Sequence, residues 1–372
     1  MRDGPKPLSM HLGMTSACLQ GQEQAVEHLA DMVRGIQLYQ KSSYKPTSSQ
    51  RLQVWSEEQT QLFRILGADN FSIGERDICV LIPSLINGSG ILDLCPERSL
   101  AKWLTTQDLD VYLLDWGDIM KEDPAITIQT LVCDRLGIAV SELKNRTGKS
   151  KCKIHVLGYC MGGALSLGIA AVKPDLFDTL TLLATPWDFY AGQRTLLRHV
   201  QFWAPSAMGL IENKNYLSAD QLQSLFASVD PMLAQKKFSR FANMNMESEE
   251  ARIFVAVEDW LNDGQDLPAG IARECIMDWF LNNGPCSGIW ILEGRLVDPQ
   301  NIKMPVHIVA SRKDQLVEYD AALSLRQTLP CSYVTEPDCG HIGMIAGKGS
   351  IADVWQPMAQ WMKKQATDKN AS

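Results

Sequence analysis

Apolar residues along this chain follow two periods, and the change from one to the other marks out the elements. Short, nearly unbroken apolar runs rich in β-branched residues occur at Arg76–Ser84 (RDICVLIPS), Asp110–Trp116 (DVYLLDW), Ile154–Leu157, Asp178–Ala184 (DTLTLLA), Met304–Ser311 (MPVHIVAS) and Cys331–Glu336 (CSYVTE). Runs of this length between Gly, Pro or polar clusters predict strands buried on both faces. Segments at Arg98–Thr106, Asp123 to about Gly137, Ala164–Val172, Asp320–Leu329 and Ile351 to about Gln365 predict helices. Asp123 ahead of Pro124 has the composition of a helix start. Before the first strand, Gly21–Tyr39 places Val26, Leu29, Ala30, Val33, Ile36 and Leu38 at roughly helical spacing. Lys41–Arg51 reads as a linker, Val54–Leu66 as a second, weaker helical or mixed segment, and residues 1–20 as a frayed end.

Strand and helix alternate until about residue 187, which predicts a mostly parallel sheet with helices on both faces. Active sites in such sheets lie off the carboxyl ends of the strands. Asp188 to about Gly284 breaks the rhythm: it is rich in Met, Trp and Phe, and has helix-like pieces but no clear strand. Its place in the chain suggests a lid. The expected division is an N-terminal helical extension (1–70), a core (71–187 and 286–368) and a lid or cap insertion (188–285).

Directly after the strand at Ile154–Leu157 comes Gly158-Tyr159-Cys160-Met161-Gly162-Gly163, and then a small-residue helix. Strand, G-x-nucleophile-x-G and helix together form the nucleophile elbow of the α/β-hydrolase fold, here with Cys in place of Ser. Small neighbours let strand and helix approach around a strained turn, and Gly163 is expected to bring the helix close to substrate. The helix N-terminus favours thiolate. The N–H of Met161, next after the nucleophile, can donate to an oxyanion. The second donor belongs to the loop after the first strong strand, Ser84 to Ile86. Nothing in the sequence separates these three, and Leu85, the middle one, stands for the loop.

Such a nucleophile needs a base, and the base an orienting acid, in the chain order nucleophile, acid, His. Asp314 follows the strand MPVHIVAS, and His341 follows the last strand behind a glycine. Asp320 and Asp338 lie close enough to compete for the acid's role. His155 and His307 fall inside strands and read as core groups; His11 and His28 precede the sheet, and His199 lies in the insertion. Cys suits one chemistry in particular. Thiolate attack on a thioester yields another thioester, nearly isoenergetic, whereas attack on an ester is uphill. A cysteine can therefore hold an acyl group in activated form for a hydroxyl acceptor, provided that water is kept away.

Charge and cysteine usage narrow the class. A net charge of −8 without a basic run argues against nucleic-acid binding. The chain shows no apolar signal core and no stretch approaching a membrane span. Ten cysteines with no C-x-x-C spacing give no sign of zinc or of a dithiol motif, and the expectation is reduced thiols in a cytoplasm.

These residues resemble the polyhydroxyalkanoate synthases, specifically the catalytic subunit of the short, two-component type. The resemblance runs from about Gly35 to Gly343 through LIPSLINGSGILDL, DVYLLDWGD, LGYCMGGALS, ATPWDF, WLNDGQDLP, WFLNNG, VASRKDQLV and CGHIG. It implies that Cys160 takes a 3-hydroxyacyl group from coenzyme A, with His341 as base and Asp314 helping to activate the attacking hydroxyl. The product is a polyester in cytoplasmic granules. No cofactor is implied, since the coenzyme A thioester is the substrate. A homodimer and a second synthase subunit are the implied partners. The sequence departs from the family at Gln315 and Glu318, where the family carries His and Pro, and at Gly88-Ser89-Gly90, where the family prefers bulkier residues. The competing readings are a Cys-nucleophile thioesterase or esterase on the same triad, and a non-catalytic granule-associated protein.

Overall fold

The computed structural model describes residues 2–69, 71–148 and 151–368. Eight strands form one sheet: β1 (Arg51–Glu57), β2 (Thr60–Ile65), β3 (Asp77–Ile82), β4 (Leu109–Asp115), β5 (Ile154–Tyr159), β6 (Thr179–Leu183), β7 (Val306–Val309) and β8 (Ser332–Thr335). Their order is β1-β2-β4-β3-β5-β6-β7-β8. From β4 to β8 every pairing is parallel, while β1–β2 and β2–β4 are antiparallel.

Strand periodicity sorts the core. Ile78, Val80 and Ile82 of β3 enter one buried cluster, while Cys79 and Leu81 enter the other. Successive side chains of a strand point to opposite faces, so an unbroken apolar run is what a sheet covered on both sides requires. One face is covered by α4 (Gly137–Thr147) and α5 (Met161–Val172). The other is covered by α3 (Leu100–Thr105) and the C-terminal helix Gln356–Asp368.

Three expectations fail here. Residues 51–65 are not part of a helical extension but a hairpin that extends the sheet; Gln61–Arg64 pair with Tyr112–Asp115. One face of this edge is exposed, so its alternation is too weak to read against helical spacing. Residues 8–19 form α1, which packs with α2 (Ala25–Lys41), and the Arg2 guanidinium donates to Asp259 at 2.6 Å. Asp123 does not cap a helix. Its carboxylate accepts from the Ala125 N–H at 2.7 Å in a local turn, and Thr127, accepting from the Thr130 N–H at 3.2 Å, takes the capping place.

The segment between β6 and β7 carries α6 (Thr195–Lys214), α7 (Ala219–Val229), α8 (Leu233–Ala242), α9 (Glu249–Asn262) and α10 (Ala269–Arg273), which runs on as a wider helix through Glu274–Leu281. The N-terminal helices pack on this insertion rather than on the sheet. Met32, Ile36 and Tyr39 of α2 share a cluster with Phe238 and Phe241 of α8 and Val255 of α9. A Cβ at Gly35 would run into the Phe238 backbone, so the two helices touch main chain to main chain.

The hairpin is fastened by a nearly buried ion pair. Arg64 Nε donates to Asp110 Oδ1 at 2.7 Å, with the Asp110 side chain 1% exposed. Burial raises the Asp110 pKa even against Arg64. Arg64→Met is expected to cost about 3 kcal/mol near neutral pH, since it strands a buried carboxylate. The loss should shrink at lower pH, where Asp110 takes up a proton. Denaturant melts at two pH values check this, and an equal loss at both would contradict it.

Candidate active site

The β5–α5 turn is built as the motif demands. Cys160 sits at φ 54°, ψ −125°, a backbone conformation rare for a residue with a side chain. Such strain costs on the order of 1–3 kcal/mol and persists only where the surroundings enforce it. Here a Cβ at Gly158 would strike Gly163, and one at Gly162 would strike the Ile82 and Pro83 carbonyls. Gly163 does not serve substrate approach, as the sequence suggested. It faces Gly158 and the Thr185 hydroxyl, so its role is packing.

Asp314 and His341 converge on this turn. Asp314 Oδ1 accepts from the Leu316 and Val317 N–H groups, both at 2.9 Å, and Oδ2 binds His341 Nδ1 at 2.7 Å. The bond to Asp314 places a proton on Nδ1 and leaves Nε2 for the sulfur. Burial alone would lower the imidazole pKa. The Asp314 carboxylate and the Cys160 thiolate, each acting by charge and by hydrogen bond, outweigh it and hold the ring well above its ordinary value. Neither competing acid joins: Asp338 pairs with Lys313 at 2.8 Å on the surface, and Asp320 is exposed.

The remaining histidines lie elsewhere. His155 bonds Thr179 Oγ1 and His307 bonds Thr335 Oγ1, both at 2.8 Å, and burial pushes His307 down to about 4. His199 bonds Ser228 Oγ at 2.5 Å within the insertion, and His11 contacts the Lys6 carbonyl at 3.3 Å.

Met161 opens α5, so its N–H has no intrahelical acceptor. The Leu85 side chain is buried in the core, while its neighbours Ser84 and Ile86 face a cavity of about 200 Å³ above Cys160 and His341. Insertion residues including Val200, Trp203, Phe226 and Trp260 roof this cavity, and the lining is almost wholly apolar.

Three features were not legible as parts of a site. Tyr159 lays its ring against His341, with centroids 5.1 Å apart, although it holds an unconstrained position of the motif. Glu318 lies at the cavity mouth. It accepts from the Thr195 N–H at 2.9 Å, from Arg194 at 3.2 Å and from Gln193, so it caps α6 from the core side. Trp260 lies beside Gly90, and its indole N–H donates to the Gly88 carbonyl at 2.9 Å.

Residues 80–348 match the α/β hydrolase fold family, and the chain belongs to it. In shape it is similar to a thermostable carboxyl esterase from Bacillus coagulans (TM-score 0.55, 12% identity, 86% of this chain and 100% of that one). That likeness concerns the fold alone. In sequence the chain is similar to polyhydroxyalkanoate synthases of this superfamily. It is 30% identical over 300 residues to the poly(3-hydroxyalkanoate) polymerase subunit PhaC of Haloarcula marismortui, covering 79% of this chain. It is 27% identical over 316 residues to the subunit of the same name from Allochromatium vinosum, covering 84% of this chain and 88% of that protein. The chain spans 62% of the length of the Haloarcula relative and the same share of one from Haloferax mediterranei.

Asp314→Asn and Cys160→Ala should each lower the His341 pKa, since each removes a negative charge that favours imidazolium. NMR titration of the ring checks this; an unmoved midpoint would contradict it. A folded pKa above the unfolded value of about 6.5 stabilises the fold below that pH, and the contribution is lost as pH rises through the folded value. The stability deficit of Asp314→Asn should accordingly narrow with rising pH. Glu318→Ala should cost about 1 kcal/mol, the usual worth of a helix cap, read as a lower melting temperature.

Proposed function

We propose that this chain is a poly(3-hydroxyalkanoate) synthase subunit that transfers 3-hydroxyacyl groups from coenzyme A to a growing polyester. The observation that carries the reading is a cysteine on a strained strand-to-helix turn that shares one apolar, roofed cavity with the His341–Asp314 couple. Similarity to the PhaC subunits supports the substrate class.

In the first half-reaction the Cys160 sulfur attacks the thioester carbonyl. The oxyanion that forms accepts from the Met161 and Leu85 N–H groups. The tetrahedral centre collapses, the bond to the coenzyme A sulfur breaks, and His341 gives that sulfur its proton. In the second, His341 takes the proton of a 3-hydroxyl as the hydroxyl oxygen attacks the acyl-cysteine carbonyl. The ester bond forms, the Cys160 thiolate leaves, and the chain is one unit longer. Asp314 holds the ring in the tautomer needed throughout. The roof formed by residues 188–285 acts as a lid that keeps water from the acyl-cysteine.

The reaction needs no cofactor. The setting that fits is the cytoplasm, at the surface of polyester granules, with a homodimer and a second synthase subunit as partners. Among the described residues no helix is long and apolar enough to cross a membrane.

The test is to incubate purified protein with 3-hydroxybutyryl-coenzyme A, with and without candidate partner subunits, and to follow thiol release and turbidity. Thiol release with insoluble product is expected. Release of soluble acid alone would replace the reading by a thioesterase, and no release with a competent partner would favour a non-catalytic granule protein. Cys160→Ala should abolish turnover, and Cys160→Ser should lower it at least ~10²-fold, since the alcohol has no comparable anionic form at neutral pH.

A further inference from the structure

The loop that follows β3 is bracketed around Leu85. On its core side, the Trp116 indole N–H donates to the Pro83 carbonyl at 3.1 Å. On the other side, residues 86 to 88 are tied to the insertion, before Ser89 Oγ donates back to Asp115 Oδ2 of the core at 2.8 Å. The Gln265 N–H donates to the Ile86 carbonyl at 3.0 Å, and Trp260 Nε1 donates to the Gly88 carbonyl at 2.9 Å. Between them lies Asn87, 8% exposed, which forms a β-bridge with Gly264. Its Nδ2 donates to the carbonyls of Trp260 at 3.1 Å and Leu261 at 3.4 Å, and its Oδ1 accepts from Gln223 Nε2 at 3.4 Å. A buried primary amide is suited to this place because it donates and accepts at once. Among the described hydrogen bonds, Asn87 joins the loop by its side chain to both α7 and the end of α9.

We infer that Asn87 is a positioning residue for acyl transfer. By fastening the loop to α7 and α9 it holds the Leu85 N–H where an oxyanion forms, so that donor exists only while the insertion is seated. Cys160, His341 and Asp314 all stand on the core and keep their alignment when the insertion lifts. Lifting it leaves a competent nucleophile with an incomplete oxyanion site. A thioester is then attacked only in the closed, apolar cavity, where the acyl-cysteine is safe from water. This inference rests on the acyl-transfer reading of Cys160, though not on polyester as the product.

Two reactions of the same sulfur separate a positioning role from a merely structural one. Single-turnover acylation by p-nitrophenyl butyrate passes through an oxyanion. Alkylation by iodoacetamide displaces iodide at a saturated carbon and forms none. Both are followed on the Cys160 peptide by mass spectrometry, in the full chain, for wild type, Asn87→Asp, Asn87→Ala and Trp260→Phe. A lost oxyanion donor costs about 10²–10³-fold, so the Asn87 variants should acylate roughly 10–100-fold more slowly, while alkylation stays within about twofold. Trp260→Phe, which removes one tie to Gly88, should fall between them and wild type, and it keeps the test open if an Asn87 variant does not fold. Acylation near the wild-type rate, or equal slowing of both reactions, would overturn the inference. If wild type is acylated but makes no polyester from 3-hydroxybutyryl-coenzyme A, the polymerase reading fails and the inference stands. If wild-type Cys160 is not acylated at all, both fall.

Discussion

The sharp turn at Cys160 is the constraint on which the site depends. A residue with a side chain is held at positive φ, and the reason it stays there is packing: Gly158 lies against Gly163, and Gly162 against the carbonyls that end β3. Those contacts lift the sulfur clear of the sheet and place it at the start of α5. The same contacts join the nucleophile turn to the end of β3, where the loop that carries the second proposed oxyanion donor begins. Side chains then complete the site. Asp314 is locked by two backbone N–H groups and locks His341 in turn, and the charge of the triad raises the affinity of the ring for a proton.

Around that fixed centre the insertion adds what the core lacks. It supplies the apolar roof, and it is tied to the core at both edges of the cavity. One edge is the Glu318 cap on α6, and the other is the cluster of hydrogen bonds around Asn87 and Trp260. The N-terminal helices strengthen this unit by packing on α8 and α9, with Arg2 and Tyr39 both bonded to Asp259. The glutamate at 318 thereby has a structural explanation as the cap of α6, and the loop at 88–90 lies against Trp260 of the insertion. Each departs from the resembled family at a point where core and insertion meet.

The parallel strands were legible because full burial leaves nearly unbroken apolar runs, and the elbow because its glycines are demanded by sterics. Asp314 and His341 were legible from chain order relative to the last strands. The β1–β2 hairpin was not, since one exposed face blurs its period. The helix at 8–19 was missed because its apolar residues do not gather on one stripe, and Asp123 misled because Asp before Pro suits a turn as well as a cap. Asn87, Trp260 and Glu318 are separated from their partners by more than 100 residues. No local pattern reports such a contact.

The central claim, that Cys160 accepts an acyl group and keeps it from water until a hydroxyl arrives, is tested most directly with butyryl-coenzyme A, a thioester without the 3-hydroxyl. The account predicts release of one equivalent of coenzyme A per active site and then a stall, with the butyryl mass on the Cys160 peptide and on none of the other nine cysteines. Continued release of coenzyme A with free butyrate, or label on another residue, would contradict it.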